Sequence, residues 1–183
     1  MNQYLKNNSV LVFFFLSFSC LGDTLFDNFE KKNINDWIFI SDKVMGGISS
    51  GKLDFLEENG DFFMRMTGAV SLENNGGFIQ ARKFINNLNQ KNFKSVKILT
   101  RGNEMDYFIH LRTKFTLLPW QYYKEKINTG SDWSEDNIYI KDFKPSGFLL
   151  PKKINSKNIT SIAIVAFGKE SEVMIDVKEI KFY

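Results

Sequence analysis

Apolar and polar residues alternate with a period of two along most of this chain. No stretch of about 11 residues keeps the 3.6-residue period of an amphipathic helix. Phe62, Met64 and Met66 share one parity, with Phe63, Arg65 and Thr67 on the other. Val96, Ile98 and Thr100 alternate with Lys97, Leu99 and Arg101, and Tyr107, Ile109 and Leu111 alternate with Phe108, His110 and Arg112. Ile138 and Ile140 alternate with Tyr139 and Lys141. The continuous apolar run 162–167 reads as a central strand buried on both sides. Val173, Ile175 and Val177 follow, then Ile180 and Phe182. Turn signals separate these segments: Glu58-Asn59-Gly60, Asn74-Asn75-Gly76-Gly77, Arg101-Gly102-Asn103, Asn128-Thr129-Gly130 and Lys144-Pro145-Ser146-Gly147. Many short strands spaced by turns predict an all-β protein, a β-sandwich of jelly-roll type. Helix is expected only as a turn near 87–92.

The N-terminus departs from this pattern. Lys6 precedes an apolar run, Val10 to Phe18, too short for the roughly 20 residues a membrane-spanning helix needs. Residues 1–20 therefore read as a secretory signal. Cys20 stands where a bacterial lipoprotein carries its acylated cysteine, after an imperfect lipobox, Leu16-Ser17-Phe18-Ser19. Residues 21–183 form one domain of ordinary size. The expected location is outside the cytoplasm, in the periplasm or cell envelope, with the membrane met only through the signal or a lipid anchor at Cys20.

Composition removes several classes of function. A formal net charge of +3 is no polyelectrolyte pattern, so charge-driven nucleic-acid binding is not expected. One cysteine excludes an intramolecular disulfide and a cysteine-based zinc site. One histidine leaves little for a histidine-based metal centre, so neither metal nor cofactor is expected.

Two glycine turns carry the densest local information. Asp42 to Ser49 includes Gly46 and Gly47; about thirty residues on, beyond strands whose side chains alternate, Asn75, Gly76 and Gly77 close the second. A phosphate cradle needs a helix opening directly after the glycines and, in its commonest form, a Gly-Lys-Ser element. Ile48-Ser49-Ser50-Gly51 cannot open a good helix, so these turns are expected to be structural, with Asp42 and Ser49 bonding turn amides. His110 lies beside no nucleophile motif, and Asp42, Glu73, Asp132 and Asp142 fall at turns or strand ends, where capping explains them. Asp54, Glu57, Glu58 and Asp61 read as a solvated acidic face around a hairpin. Among the aromatic residues, Trp37 is expected to be buried, whereas Trp120 and Trp133 sit in irregular segments and are the best placed to be exposed.

Taken together, four segments resemble the complex I intermediate-associated protein 30 family. An Asp-x-Val-Met-Gly-Gly-x-Ser turn is matched by Asp42 to Ser49, and a Gly-x-Val-Ser…Asn-Gly-Gly-Phe segment by Gly68 to Phe78. An Arg-Gly turn leading to a Tyr-x-x-x-Leu-Arg strand is matched by Arg101-Gly102 and Tyr107 to Arg112. A Trp followed by Asp-Phe-x-Pro is matched by Trp133 and Asp142 to Pro145. The resemblance covers residues 25–183. It implies a galactose-binding-like jelly roll and, by analogy with mitochondrial members, a non-enzymatic assembly factor for NADH:ubiquinone oxidoreductase. It carries no catalytic residue set, and the secretory signal is a departure from those members.

The expected function is thus that of a non-enzymatic binding protein resembling complex I assembly factors, with a chaperone or assembly role for envelope or respiratory-complex proteins. Its partner would be a protein. The surface would combine Arg101, His110, Arg112, Trp120, Tyr122 and Trp133 on one sheet face and its loops. The alternative is a glycan-binding protein like a carbohydrate-binding module.

Overall fold

The computed structural model describes residues 24–30, 35–85, 92–103 and 105–183. The signal expected over 1–20, Cys20 included, lies outside the described residues, as does the helical turn near 87–92 apart from Asn92, which is irregular. The strands are β1 (Thr24–Asp27), β2 (Trp37–Ser41), β3 (Ser50–Glu58), β4 (Asp61–Val70), β5 (Phe78–Phe84) and β6 (Ser95–Gly102). They continue with β7 (Tyr107–Thr113), β8 (Tyr123–Ile127), β9 (Ser134–Tyr139), β10 (Lys144–Pro145), β11 (Ile159–Phe167) and β12 (Ser171–Phe182). Among the described residues no α-helix occurs, only short 3-10 turns.

All pairings are antiparallel. One sheet, here sheet A, runs β3-β4-β12-β6-β9, with β1 also on β12; the other, sheet B, runs β10-β8-β7-β11-β5-β2. The period-two pattern is what makes them stack: each strand buries one parity. Met64, Met66, Ile98, Ile175 and Val177 of sheet A meet Ile79, Ile109, Leu111, Ile162 and Ile164 of sheet B in a single core. β11 is central in sheet B and buried along nearly its whole length. In β12 the buried parity shifts from Val177 to Ile180, and the register of β12 on β6 slips between Val177 and Glu179. One extra residue there turns the same face of the strand back to the core.

The two glycine turns are both crossovers between the sheets, β2 to β3 and β4 to β5, and one carboxylate joins them. Asp42 is fully buried. It accepts hydrogen bonds from Ser49 N at 2.9 Å, Gly77 N at 2.6 Å, Phe78 N at 3.3 Å and the Ser49 hydroxyl. Ser49 Oγ in turn accepts from Ser71 N at 2.9 Å. A Cβ on Gly47 or Gly76 would collide with the Asp42 carboxyl, so these two glycines are required by close approach. Gly46 (φ 90°) and Gly77 (φ 129°) need glycine for their backbone instead, while Asn75 takes the left-handed region at φ 57°.

Candidate functional site

Outward-facing positions on the two sheets differ in chemistry. On sheet A, Asp176 is buried and bonded by Arg65 (Nε 2.6 Å, Nη2 2.7 Å) and by Arg101 Nε at 2.8 Å. Arg101 Nη2 also reaches Glu58 at 2.7 Å, and its guanidinium lies 4.5 Å from the Trp133 ring centroid. The hydrogen bonds to Asp176 raise both arginines above their ordinary pKa. Asp54 pairs with Lys52 at 2.8 Å and Asp61 with Lys178 at 2.6 Å. The acidic hairpin is largely solvent-exposed, as expected, and three of its carboxylates, Asp54, Glu58 and Asp61, each pair with a cation.

This placement corrects the expectation of one shared surface. Arg101 and Trp133 belong to sheet A, whereas His110, Arg112, Trp120 and Tyr122 belong to sheet B or its loops. Strand alternation aligns His110 with Arg112, but cannot show that β6 and β7 lie in different sheets. Trp133 is also only part-exposed, packed edge-on to Phe63 with centroids 5.7 Å apart.

The outer face of sheet B brings together residues far apart in sequence. Register places Lys144 on Lys124, Lys124 on His110, His110 on Ala163, Ala163 on Arg82 and Arg82 on Ile38. Arg112 stands one step along β7 and Gln80 one step along β5. His110 is stacked on Tyr122 (centroids 3.9 Å, planes 7° apart) and meets the Phe167 ring at 65°. Lys124 Nζ lies 4.8 Å from the Phe167 centroid. His110 is only 8% exposed. Among the described residues three buried side-chain polar atoms lack a partner, and two of them, His110 Nε2 and Arg82 Nε, lie in this one row.

Burial, followed by the charges of Lys124 and Arg82, pushes the His110 pKa down to about 3. Burial, reinforced by the Arg112 charge, also lowers Arg82. His110 is thus neutral where an unfolded histidine, near 6.5, takes a proton. Because the folded value is the lower one, its contribution to stability is complete above about 6.5 and is lost as pH falls toward 3. Melting temperature is therefore expected to drop between pH 7 and pH 4, and His110→Gln should flatten that drop. Equal acid slopes for the variant and the parent protein would refute it.

The loops beside this face are held rigidly and yet present apolar side chains. Arg112 Nη2 donates to the carbonyls of Thr116 (2.8 Å) and Leu118 (3.0 Å), and Gln121 Oε1 accepts from Leu117 N (2.8 Å) and Leu118 N (3.0 Å). Ser146 Oγ donates to Trp120 O at 3.0 Å and accepts from Tyr122 N at 3.1 Å, which ties the next loop alongside. From this frame Leu117 (82% exposed), Trp120 (64%) and Phe148 (94%) project into solvent, with Phe115, Leu118 and Leu149 also exposed. A cleft of about 740 Å³ runs between β9 and the β8–β10 edge, but its lining mixes Lys126, Lys141 and Lys152 with Asp136 and Asp142 and includes none of the unpartnered buried atoms. Among the described residues no group of acidic, histidine or cysteine side chains could hold a metal ion.

A family model described as complex I intermediate-associated protein 30 matches residues 26–176. The chain belongs to that family. The Asp42–Ser49 turn that carries the family resemblance is thus the buried joint between two crossovers, remote in kind from the unpartnered groups of sheet B. No curated protein matches the chain. Among solved structures, the family 11 carbohydrate-binding module of the cellulosomal cellulase Lic26A-Cel5E of Clostridium thermocellum aligns with TM-score 0.68 and 16% identity. That alignment covers 90% of this chain and 95% of the module. The family 11 module from Clostridium thermocellum in complex with a β-1,3-1,4-mixed-linked tetrasaccharide aligns with TM-score 0.70 and 15% identity, over 90% and 96% of the two chains. A family 30 carbohydrate-binding module gives TM-score 0.52 at 15% identity, over 75% and 91%. Identities this low speak for a shared jelly-roll architecture, which the two stacked antiparallel sheets display.

Arg82, Lys124, Ala163 and Phe167 were not singled out by sequence. Arg82 carries a signal after the fact: with Gln80 it forms the polar parity opposite the apolar Ile79 and Ala81 on β5. Ala163 carries none, because a small residue inside 162–167 reads as core.

Proposed function

We propose that this protein is a non-enzymatic binding protein that acts on a protein partner outside the cytoplasm, in an assembly or chaperone role akin to that named by its family. The observation that carries this reading is the apolar rim of sheet B. Leu117, Leu118, Trp120, Phe148 and Leu149 are exposed on loops fixed by Arg112, Gln121 and Ser146. Contiguous exposed apolar side chains on a rigid frame mark interaction surfaces. A non-catalytic role also suits His110, whose depressed pKa makes it a weak base at neutral pH. Anchoring through Cys20 would hold such a protein at the envelope where respiratory subunits are inserted.

Crosslinking in the native envelope followed by mass spectrometry tests the proposal. A defined protein partner, respiratory inner-membrane subunits foremost, is expected. Its yield should fall by about tenfold or more in a Leu117→Ser/Trp120→Ser/Phe148→Ser variant, as loss of interface anchors predicts. Because all three side chains are already exposed, the melting temperature should stay within a few degrees. An unchanged yield would refute the rim as the docking surface.

Glycan binding is a second reading, favoured by the shared architecture with a module solved on a tetrasaccharide and by the exposed Trp120 ring. Affinity electrophoresis on soluble polysaccharides distinguishes the two. Retardation abolished by Trp120→Ala, with no protein crosslinked, would favour glycan.

A further inference from the structure

We infer that the protein partner is recognised through a carboxylate, which an acidic segment of that partner places over Ala163 between His110 and Arg82. This rests on the protein-binding reading and adds the chemistry of the partner to it. Adjacent strands lie about 4.8 Å apart, so His110 and Arg82, each one strand from Ala163, flank a gap roughly two strand spacings wide. Between them stands only a methyl group, itself covered in the free protein (Ala163 is 2% exposed), so the space between the two nitrogens is closed at rest and admits one small planar group only as a covering side chain moves.

Charge decides its sign. At the outward positions of the six strands of sheet B stand Arg82, Arg112, Lys124, Lys126 and Lys144, and no aspartate or glutamate. Lys126 pairs with Asp106, the residue just before β7. Among the described residues, Arg82 donates only to Gln80 Oε1, at 3.2 Å, and Arg112 only to loop oxygens. Sheet A shows what a compensated arrangement looks like, since both of its arginines converge on Asp176. Burying a cation without an anion is costly, and so is enclosing a donor without an acceptor. Arg82 does both, and His110 Nε2 adds a second enclosed nitrogen beside it. An arriving carboxylate would supply the missing acceptors and relieve the repulsion between Arg82 and Arg112. Tyr122, stacked flat on His110, is the ring that must tilt to admit it.

The aliphatic part of the rim favours a peptide over an acidic sugar: Trp120 and Phe148 could stack on either, but Leu117, Leu118 and Leu149 offer no flat face to a pyranose ring and suit apolar side chains on either side of an acidic residue.

Fluorescence anisotropy on the full chain tests this, using a labelled peptide with three glutamates between leucine and phenylalanine residues. Saturable binding is expected. The glutamine counterpart of the peptide, and separately Arg82→Gln in the protein, should each weaken it about tenfold or more, the scale of a charge-assisted hydrogen bond. Arg82→Gln should leave the melting temperature of the free protein unchanged or higher, because it removes an uncompensated charge; a merely structural arginine would lower it. Lys178→Gln, on sheet A, should bind like the parent. Equal affinity for the glutamine peptide would overturn the carboxylate and leave the protein-binding reading standing. Undiminished binding by Arg82→Gln would overturn the site. Retention of polygalacturonate without peptide binding would overturn both readings, and binding of neither probe overturns the inference.

Discussion

Replacing Asp42 by alanine is expected to lower the unfolding free energy by about 3–5 kcal/mol, a large share of the 5–15 kcal/mol typical of a domain. The carboxylate accepts from Ser49 N, Gly77 N, Phe78 N and the Ser49 hydroxyl, all at the junction of two crossovers. Alanine leaves these donors enclosed with nothing to bond, and each enclosed donor costs about 1–3 kcal/mol, less than additively. Asparagine should rescue only part of the loss, since its amide nitrogen cannot accept. Urea titrations of D42A and D42N against the parent measure it, and a shift below about 1 kcal/mol for D42A would refute the joint as described. Burial pushes the Asp42 pKa up, but the hydrogen bonds from Ser49, Gly77 and Phe78 together outweigh it and leave the group below 3.8. Its contribution is therefore present above 3.8 and is lost as pH falls through the lower folded value. That window lies below most of the one governed by His110, so the two are separable in an acid titration.

The second large effect is expected at Asp27. Its buried carboxylate accepts from Lys83 Nζ, Trp37 Nε1 and Phe29 N, each at 2.8 Å, and so closes β1 and β2 onto β5. Among the described residues, Asp27→Ala leaves a nearly enclosed ammonium with only Asp36, at 3.1 Å and mostly exposed, and an indole N–H without an acceptor. Removing one partner of a buried ion pair costs about 3–5 kcal/mol. The double variant Asp27→Asn/Lys83→Met should recover at least half of that, because it removes both charges while the asparagine oxygen still serves Phe29 N. Thermal and urea unfolding of the single and double variants decide it. A double variant as unstable as D27A would mean that the pair is not what holds this corner.

The layers of the fold were legible because strand burial imposes period two. Tyr107, Ile109 and Leu111 do face the core, and even the phase slip between Val177 and Ile180 stands in the sequence as a change of parity. Membership of a sheet was not legible. Sequence proximity places Arg101 and His110 together, yet the chain crosses between sheets after Gly102 and sends them to opposite sides of the molecule. The alignment of His110, Ala163 and Arg82 was hidden for a similar reason: it exists only once β5, β7 and β11 are paired, and pairings between distant segments leave no local mark. The reach of Asp42 across to Gly77 is invisible for the same cause, although both turns are conspicuous one at a time.

The unequal treatment of charge on the two sheets has an effect that begins before any contact. A formal net charge of +3 is too small to draw a partner from far away. What matters is that, among the described residues, the sheet A arginines meet an anion in Asp176 while Lys124, Lys144 and Arg82 on sheet B share one side with no paired carboxylate. The molecule therefore has a direction in an electric field. An acidic body approaching within about 10 Å, the screening distance at 0.1 M salt, would turn it so that sheet B leads. Collision frequency and the fraction of productive collisions would then both depend on ionic strength, even for a partner whose final grip is mostly apolar.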